Sequence, residues 1–137
     1  MSAVSDRDAM VAGMAPVVRQ GRYVFVSVND LPSADVDPLM VFHEDEGITL
    51  IVRQREADRL GLAYDLVLGW ITLTVHSALD GVGLTAAVST VLAEAGIACN
   101  MVAAARHDHV FVPVQRMEDA MRALEDLAAS TRAAGLG

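Results

Sequence analysis

An α+β fold, with antiparallel sheets covered by helices on one face, follows from three observations on the amino-acid sequence. From Trp70 to Val114 the chain reads strand, tight polar turn, helix, glycine stop and two more strands, a β-α-β-β order. A last helix then carries Met117, Ala120, Met121, Leu124 and Leu127 inward and Glu118, Asp119, Arg122, Glu125 and Asp126 outward. An incomplete, more irregular version of the same alternation precedes Trp70, so the pattern occurs twice, although no close sequence repeat is visible.

Taken in order, Ser5 to Gly13 predicts a short helix, capped by Ser5 or Asp6 and stopped at Gly13. Met14 to Arg19 and Arg22 to Val28 read as two strands joined through Gln20-Gly21. The second sets Tyr23, Phe25 and Ser27 against Val24, Val26 and Val28. Pro32 and Pro38 break the next stretch into a loop leading to a short helix near Pro38 to His43. Glu44-Asp45-Glu46-Gly47 reads as an acidic turn, Ile48 to Arg53 as a strand, and Glu56 to Leu60 as a helix ended by Gly61. Leu62 to Gly69 has no clean period and is a connector between halves, 1–68 and 69–137.

In the second half, Ile71, Leu73 and Val75 alternate with Trp70, Thr72, Thr74 and His76 as a strand. Leu84, Ala87, Val88, Val91, Leu92 and Ala95 form the buried stripe of a helix that stops at Gly96. Cys99 to Ala105 and Val110 to Val114 are the next strands, joined at Arg106-His107-Asp108-His109, and Thr131 to Gly137 is expected to fray. Each half is then a ferredoxin-like arrangement.

Composition closes off several functions. With 53% hydrophobic and 20% charged residues, the 137-residue chain is long enough to bury a substantial core. Its net charge of -8 repels phosphate backbones, so neither nucleic acid nor an anionic membrane is expected as a partner. All ten basic residues are Arg; without Lys there is no Walker-type phosphate loop, Schiff-base nucleophile or pyridoxal-phosphate anchor. A single Cys99, no paired Cys motif for zinc, no signal-peptide pattern and no apolar run near the ~18 residues of a membrane span lead to an expectation of a soluble, cytoplasmic protein.

The segment WITLTVHSALDGVGLTAAVSTVLAEAGIACNMVAAARHDHVFVPV resembles the ACT domain, in which a first strand ends in a D-x-x-G-type turn that feeds a helix. More narrowly it is similar to small bacterial proteins of unknown function built from two such modules. APVVRQGRYVFVSV and EGITLIVRQREADRLGL extend the looser likeness over most of the chain. The resemblance implies β-α-β-β-α-β modules in tandem that bind an amino acid or similar small metabolite at an interface between units and regulate an enzyme or transporter. It maps the ligand-facing turn onto Asp80, Gly81, Val82, Gly83, Leu84 and Thr85. No catalytic or DNA-binding domain accompanies the two modules, so the regulated partner is expected to be another chain. The N-terminal half has no comparable glycine-rich turn, which argues against a second equivalent site.

The chemistry of that turn can be stated independently. A helix N-terminus presents unpaired amides, so a ligand carboxylate can be held by Gly83, Leu84 and Thr85 while Asp80 faces an ammonium group. The competing account is that Asp80 or Ser77 only caps the helix and the glycines serve the turn. Asn100 can face a ligand or bond a turn. His107-Asp108-His109, with His76, has metal-ligand residue types, but it sits where a hairpin loop is expected and no third ligand has motif spacing.

Cys99 has no basic neighbour in sequence to activate it, and Glu44-Asp45-Glu46 spaces its oxygens too closely for a hard-cation loop. Ser77 and Ser89 lack a nucleophile context, and no cofactor fingerprint occurs, so no catalytic residue, metal or cofactor is assigned. The expectation is a non-enzymatic, homodimeric regulatory protein. The alternatives are an assembly protein that binds no ligand, or a metal-assisted enzyme using His76, His107, Asp108 and His109.

Overall fold

The computed structural model describes residues 6–76 and 78–136. The chain forms two compact units. One takes the described residues up to Gln20 together with those from Gly69 onward, and the other is Gly21–Leu68. The elements are α1 (Arg7–Gly13), β1 (Pro16–Val28), β2 (Met40–Glu44), β3 (Gly47–Arg53), α2 (Gln54–Leu60), β4 (Leu68–Leu73), α3 (Leu84–Glu94), β5 (Asn100–Ala103), β6 (Asp108–Pro113) and α4 (Met117–Leu136).

In the first unit the strand order is β1-β4-β6-β5. Ile71 and Leu73 of β4 and Val110 and Val112 of β6 point to one face, where Leu84, Val88 and Leu92 of α3 and Ala120, Leu124 and Ala128 of α4 bury them. The α+β expectation of helices on one face of an antiparallel sheet therefore holds here. Helix α1 joins the same core through Met10, Val11 and Met14, each at most 1% exposed. Asp6 caps α1 by accepting from the Ala9 amide at 2.9 Å, and Arg132 of α4 donates to the Ala12 carbonyl at 2.8 Å. Ser5, the other cap candidate, lies outside the described residues.

The expected halves, 1–68 and 69–137, and these two units differ over residues 6–20. Residues 6–20 belong with the C-terminal half, because Met10 and Val11 of α1 and Met14 just after it complete its core. Strand β1 then carries the chain out of the first unit, and the two strands expected at Met14 to Arg19 and Arg22 to Val28 are one continuous strand. Gly21, at φ 109°, takes up the local distortion without ending it.

In the second unit the order is β2-β3-β1. β3 pairs antiparallel with β1 from Tyr23↔Arg53 to Val28↔Ile48, and with β2 from Met40↔Ile51 to Glu44↔Gly47. Val24, Val26, Leu50, Val52 and Ala57 form its core, with Val36 of the preceding loop. The helix expected near Pro38 to His43 is strand β2 instead. Glu44 to Gly47 is a tight hairpin turn, and pairing with β3 decides a segment too short to hold a helix alone. Gly61 closes α2 at φ 68°, as its position predicts.

The last helix shows no unwinding over the stretch expected to fray: α4 runs to Leu136, with Thr131 donating back to the Leu127 carbonyl at 2.8 Å. Arg116 donates to the Gly96 and Ala95 carbonyls and so ties off the C-terminal end of α3.

Because α1 belongs to the C-terminal core, Met10→Ala should destabilise the half that carries Trp70. We expect a loss of about 2–4 kcal/mol in urea unfolding followed by the fluorescence of that single Trp. An unchanged midpoint would place α1 outside the core.

Candidate functional site

β4 leaves the sheet after Leu73, and the chain turns before α3 begins. Gly83 is the N-cap of α3 at φ 110°, and among the described residues no side chain caps the helix. The first helical bond runs from the Ala87 amide to the Gly83 carbonyl, so the amides of Leu84, Thr85 and Ala86 precede the helical ladder. Gly81 donates to the Ala78 carbonyl at 2.9 Å. A Cβ there would lie 3.1 Å from that oxygen and from the Met10 sulfur, so glycine lets the turn lie against α1.

Behind this turn is a hollow of about 110 Å³. Gly81, Gly83, Leu84 and Thr85 form one side, Met10 closes it from α1, and Ala103 and Asp108 face it from the β5–β6 hairpin. Four of the seven expected binding residues therefore meet at one place. Asp80 and Val82 do not line it; both are exposed, Val82 by 80%. Asn100 is also separate. It pairs with Phe111 on β6, and strand alternation puts both on the sheet face away from the helices. Ser77, proposed as a cap, lies outside the described residues.

The acid that sequence reasoning missed is Asp108. Expected in a hairpin loop, it is the first residue of β6, pairs with Ala103 and is only 6% exposed. The loop is 104–107, closed by the Ala104 amide donating to the His107 carbonyl at 3.1 Å. The available signal was the alternation of Asp108, Val110 and Val112, which continues the buried stripe one step outward.

The same alternation divides the His-Asp-His cluster. Asp108 points to the hollow, whereas His109 points to the opposite face, where its Nδ1 accepts from Trp70 Nε1 at 3.0 Å and lies 3.2 Å from Thr72 Oγ1. Arg19 donates to Thr72 Oγ1 at 3.0 Å and lies 5.5 Å over the Trp70 ring. His76 and His107 are near each other, with ring centroids 6.3 Å apart. Among the described residues no three His, Cys, Asp or Glu side chains gather as metal ligands, so the four-residue metal cluster is not formed. The Cys99 thiol is half-buried, and burial raises its pKa, which leaves it a weak nucleophile.

Burial, the His107 ring and the Arg19 guanidinium together hold His109 below histidine's ordinary 6.5, with Asp108 acting the other way. The neutral form is therefore favoured in the folded protein, and the unfolded chain binds more protons. Stability from this group is fully present above about 6.5 and is lost as pH falls from there towards the folded value. In urea titrations from pH 8 to 5, His109→Gln should flatten that fall. A slope identical to wild type would assign it to other groups.

The ACT domain matches the chain twice, over residues 2–69 and 66–126. A Vibrio cholerae protein of unknown function, described as a possible transport protein, is 40% identical. The match covers 88% of this chain and 94% of that one, with a TM-score of 0.81. A protein from Agrobacterium tumefaciens shares the fold at 18% identity over 84% of this chain and 89% of that one, TM-score 0.66. So does the ligand-free regulatory subunit of aspartate kinase from Thermus thermophilus, at 10% identity over 82% and 97%, TM-score 0.60. No curated protein matches the chain. With two matched domains end to end and a full-length relative at this identity, the chain belongs to the ACT-domain family and carries the domain in tandem.

Proposed function

We propose that this protein is a regulatory, non-catalytic module that binds an amino acid or related small carboxylate in the hollow behind the β4–α3 turn and acts on a separate partner chain. The observation that carries this reading is the pairing of opposite partners across one small space. On one side is the first turn of α3, with no side-chain cap among the described residues, and on the other is the carboxylate of Asp108. A zwitterion suits both in charge: its carboxylate accepts from the amides of Leu84 and Thr85, and its ammonium faces Asp108. In this role Asp108 replaces Asp80, which faces solvent.

A hollow of about 110 Å³ suits a small metabolite better than a nucleotide or a polymer segment. The second unit offers no equivalent, because β3 runs into α2 with no residue between Arg53 and Gln54 and hence no glycine turn. A regulatory role also agrees with the likeness in fold to aspartate kinase regulatory subunits. Self-association is part of the proposal: β2, the edge strand of the second unit, exposes Val41 by 41% and Phe42 by 60%, an apolar edge that a second copy would cover.

Thermal-shift screening against the amino acids should raise the melting temperature for at least one of them, since a hundredfold excess over Kd stabilises by about 2.7 kcal/mol. Thr85→Glu puts a carboxylate at the amides and should abolish that rise. The free protein should keep or slightly gain stability, by about 0.3–1 kcal/mol from the helix dipole. An undiminished rise in Thr85→Glu would move the site elsewhere, and a flat screen of the wild type would favour an assembly role without ligand.

A further inference from the structure

Helix α4 and the first half of β1 border an open groove of about 500 Å³, on elements that do not line the hollow. Its floor is Met117 and Met121, both half-buried, with Val18 of β1, 50% exposed, as one wall. Gly69 on β4 sets the position of Met117. A Cβ there would run into the Met117 thioether, so the glycine leaves room for that side chain beneath the groove and a larger residue would make it shift.

The rim is acidic. Glu118, Glu125 and Asp126 are exposed and, among the described residues, form no ion pair. The one cation on the rim, Arg122, lies 3.7 Å from Asp119 and is partly neutralised by it. Glu118 and Glu125 are one heptad apart and therefore stand on the same side of α4, about 10 Å from each other along its axis.

We propose that this groove docks a basic amphipathic segment of a partner protein, with apolar side chains on the methionines and Lys or Arg against Glu118, Glu125 and Asp126. Methionine is unbranched and polarisable, and it adapts to apolar side chains of differing shape. The carboxylates supply the sign, in a chain whose net charge is -8 and which has no Lys. A second copy of this chain fits poorly, because a two-fold contact through this face sets the same carboxylates against each other. The inference does not depend on the hollow or its ligand.

The test uses three synthetic peptides. One has Leu and Lys at helical spacing, one replaces its Lys by Glu, and one replaces its Leu by Ser. The Leu/Lys peptide should bind the wild-type protein, and the other two should bind at least about tenfold more weakly. Glu118→Gln/Glu125→Gln/Asp126→Asn should weaken the Leu/Lys peptide by about tenfold. Glu44→Gln/Asp45→Asn/Glu46→Gln, which removes the same charge from the β2–β3 turn, should leave it unchanged, as should Thr85→Glu. Met121→Ser should weaken binding with the helical circular dichroism retained.

Equal losses in the two triple variants would reduce the effect to general attraction by net charge and overturn the proposal. Tight binding of the Ser-substituted peptide would do the same. So would a wild-type dimer, in gel filtration, that the Glu118/Glu125/Asp126 variant dissociates or tightens, since a second copy would then occupy the face.

Discussion

The two-residue period of β6 is the constraint on which both faces of the larger unit depend. Val110 and Val112 enter the core with α3 and α4, while His109 and Phe111 face the other way and meet Trp70 and Thr72. One step earlier, Asp108 continues the inward row just where the helices no longer cover it, so a carboxylate ends up lining a hollow instead of being buried in hydrocarbon. A slip of one residue against β5 would exchange the two rows, setting the imidazole towards the core and the valines towards the opposite face. The Trp70–His109 hydrogen bond and the Ala103↔Asp108 pairing both oppose that slip.

Most of the alternation of elements was legible because strong periods mark it. The stripe of α3, the glycines at 61, 83 and 96 and the two-sided α4 each have a local cause that tertiary structure does not reverse. Three features were not legible. The residues from Met40 to Glu44 are short and carry no helical or strand period of their own, and pairing with β3 determines them. Gln20-Gly21 looks like a turn dipeptide, yet a glycine at positive φ can distort a strand without ending it. The destination of α1 depends on which core lacks three apolar side chains, and no local pattern encodes that.

At the candidate site, the glycines of the turn line the hollow and Asp80 does not, whereas Asp108 does. Asp80 lies beside the glycines in sequence, so proximity favoured it, whereas Asp108, 28 residues further on, reaches the hollow through strand pairing. Asn100 lies apart for the converse reason: its side of β5 is fixed by its partner Phe111, and that side is away from the helices. Sequence can identify which groups suit a zwitterion, but sidedness decides which of them converge.

The course of β1 has a consequence for how such a repeat can be divided. The strand begins in the core that α1 completes and ends paired with β3, so each unit owns part of one uninterrupted strand. Cutting the chain at the boundary between the two matched domains would strip Met10, Val11 and Met14 from the piece bearing the hollow. It would leave that apolar helix uncovered on the other. The two matched domains are therefore not interchangeable cassettes, because a cut between them divides one hydrophobic core.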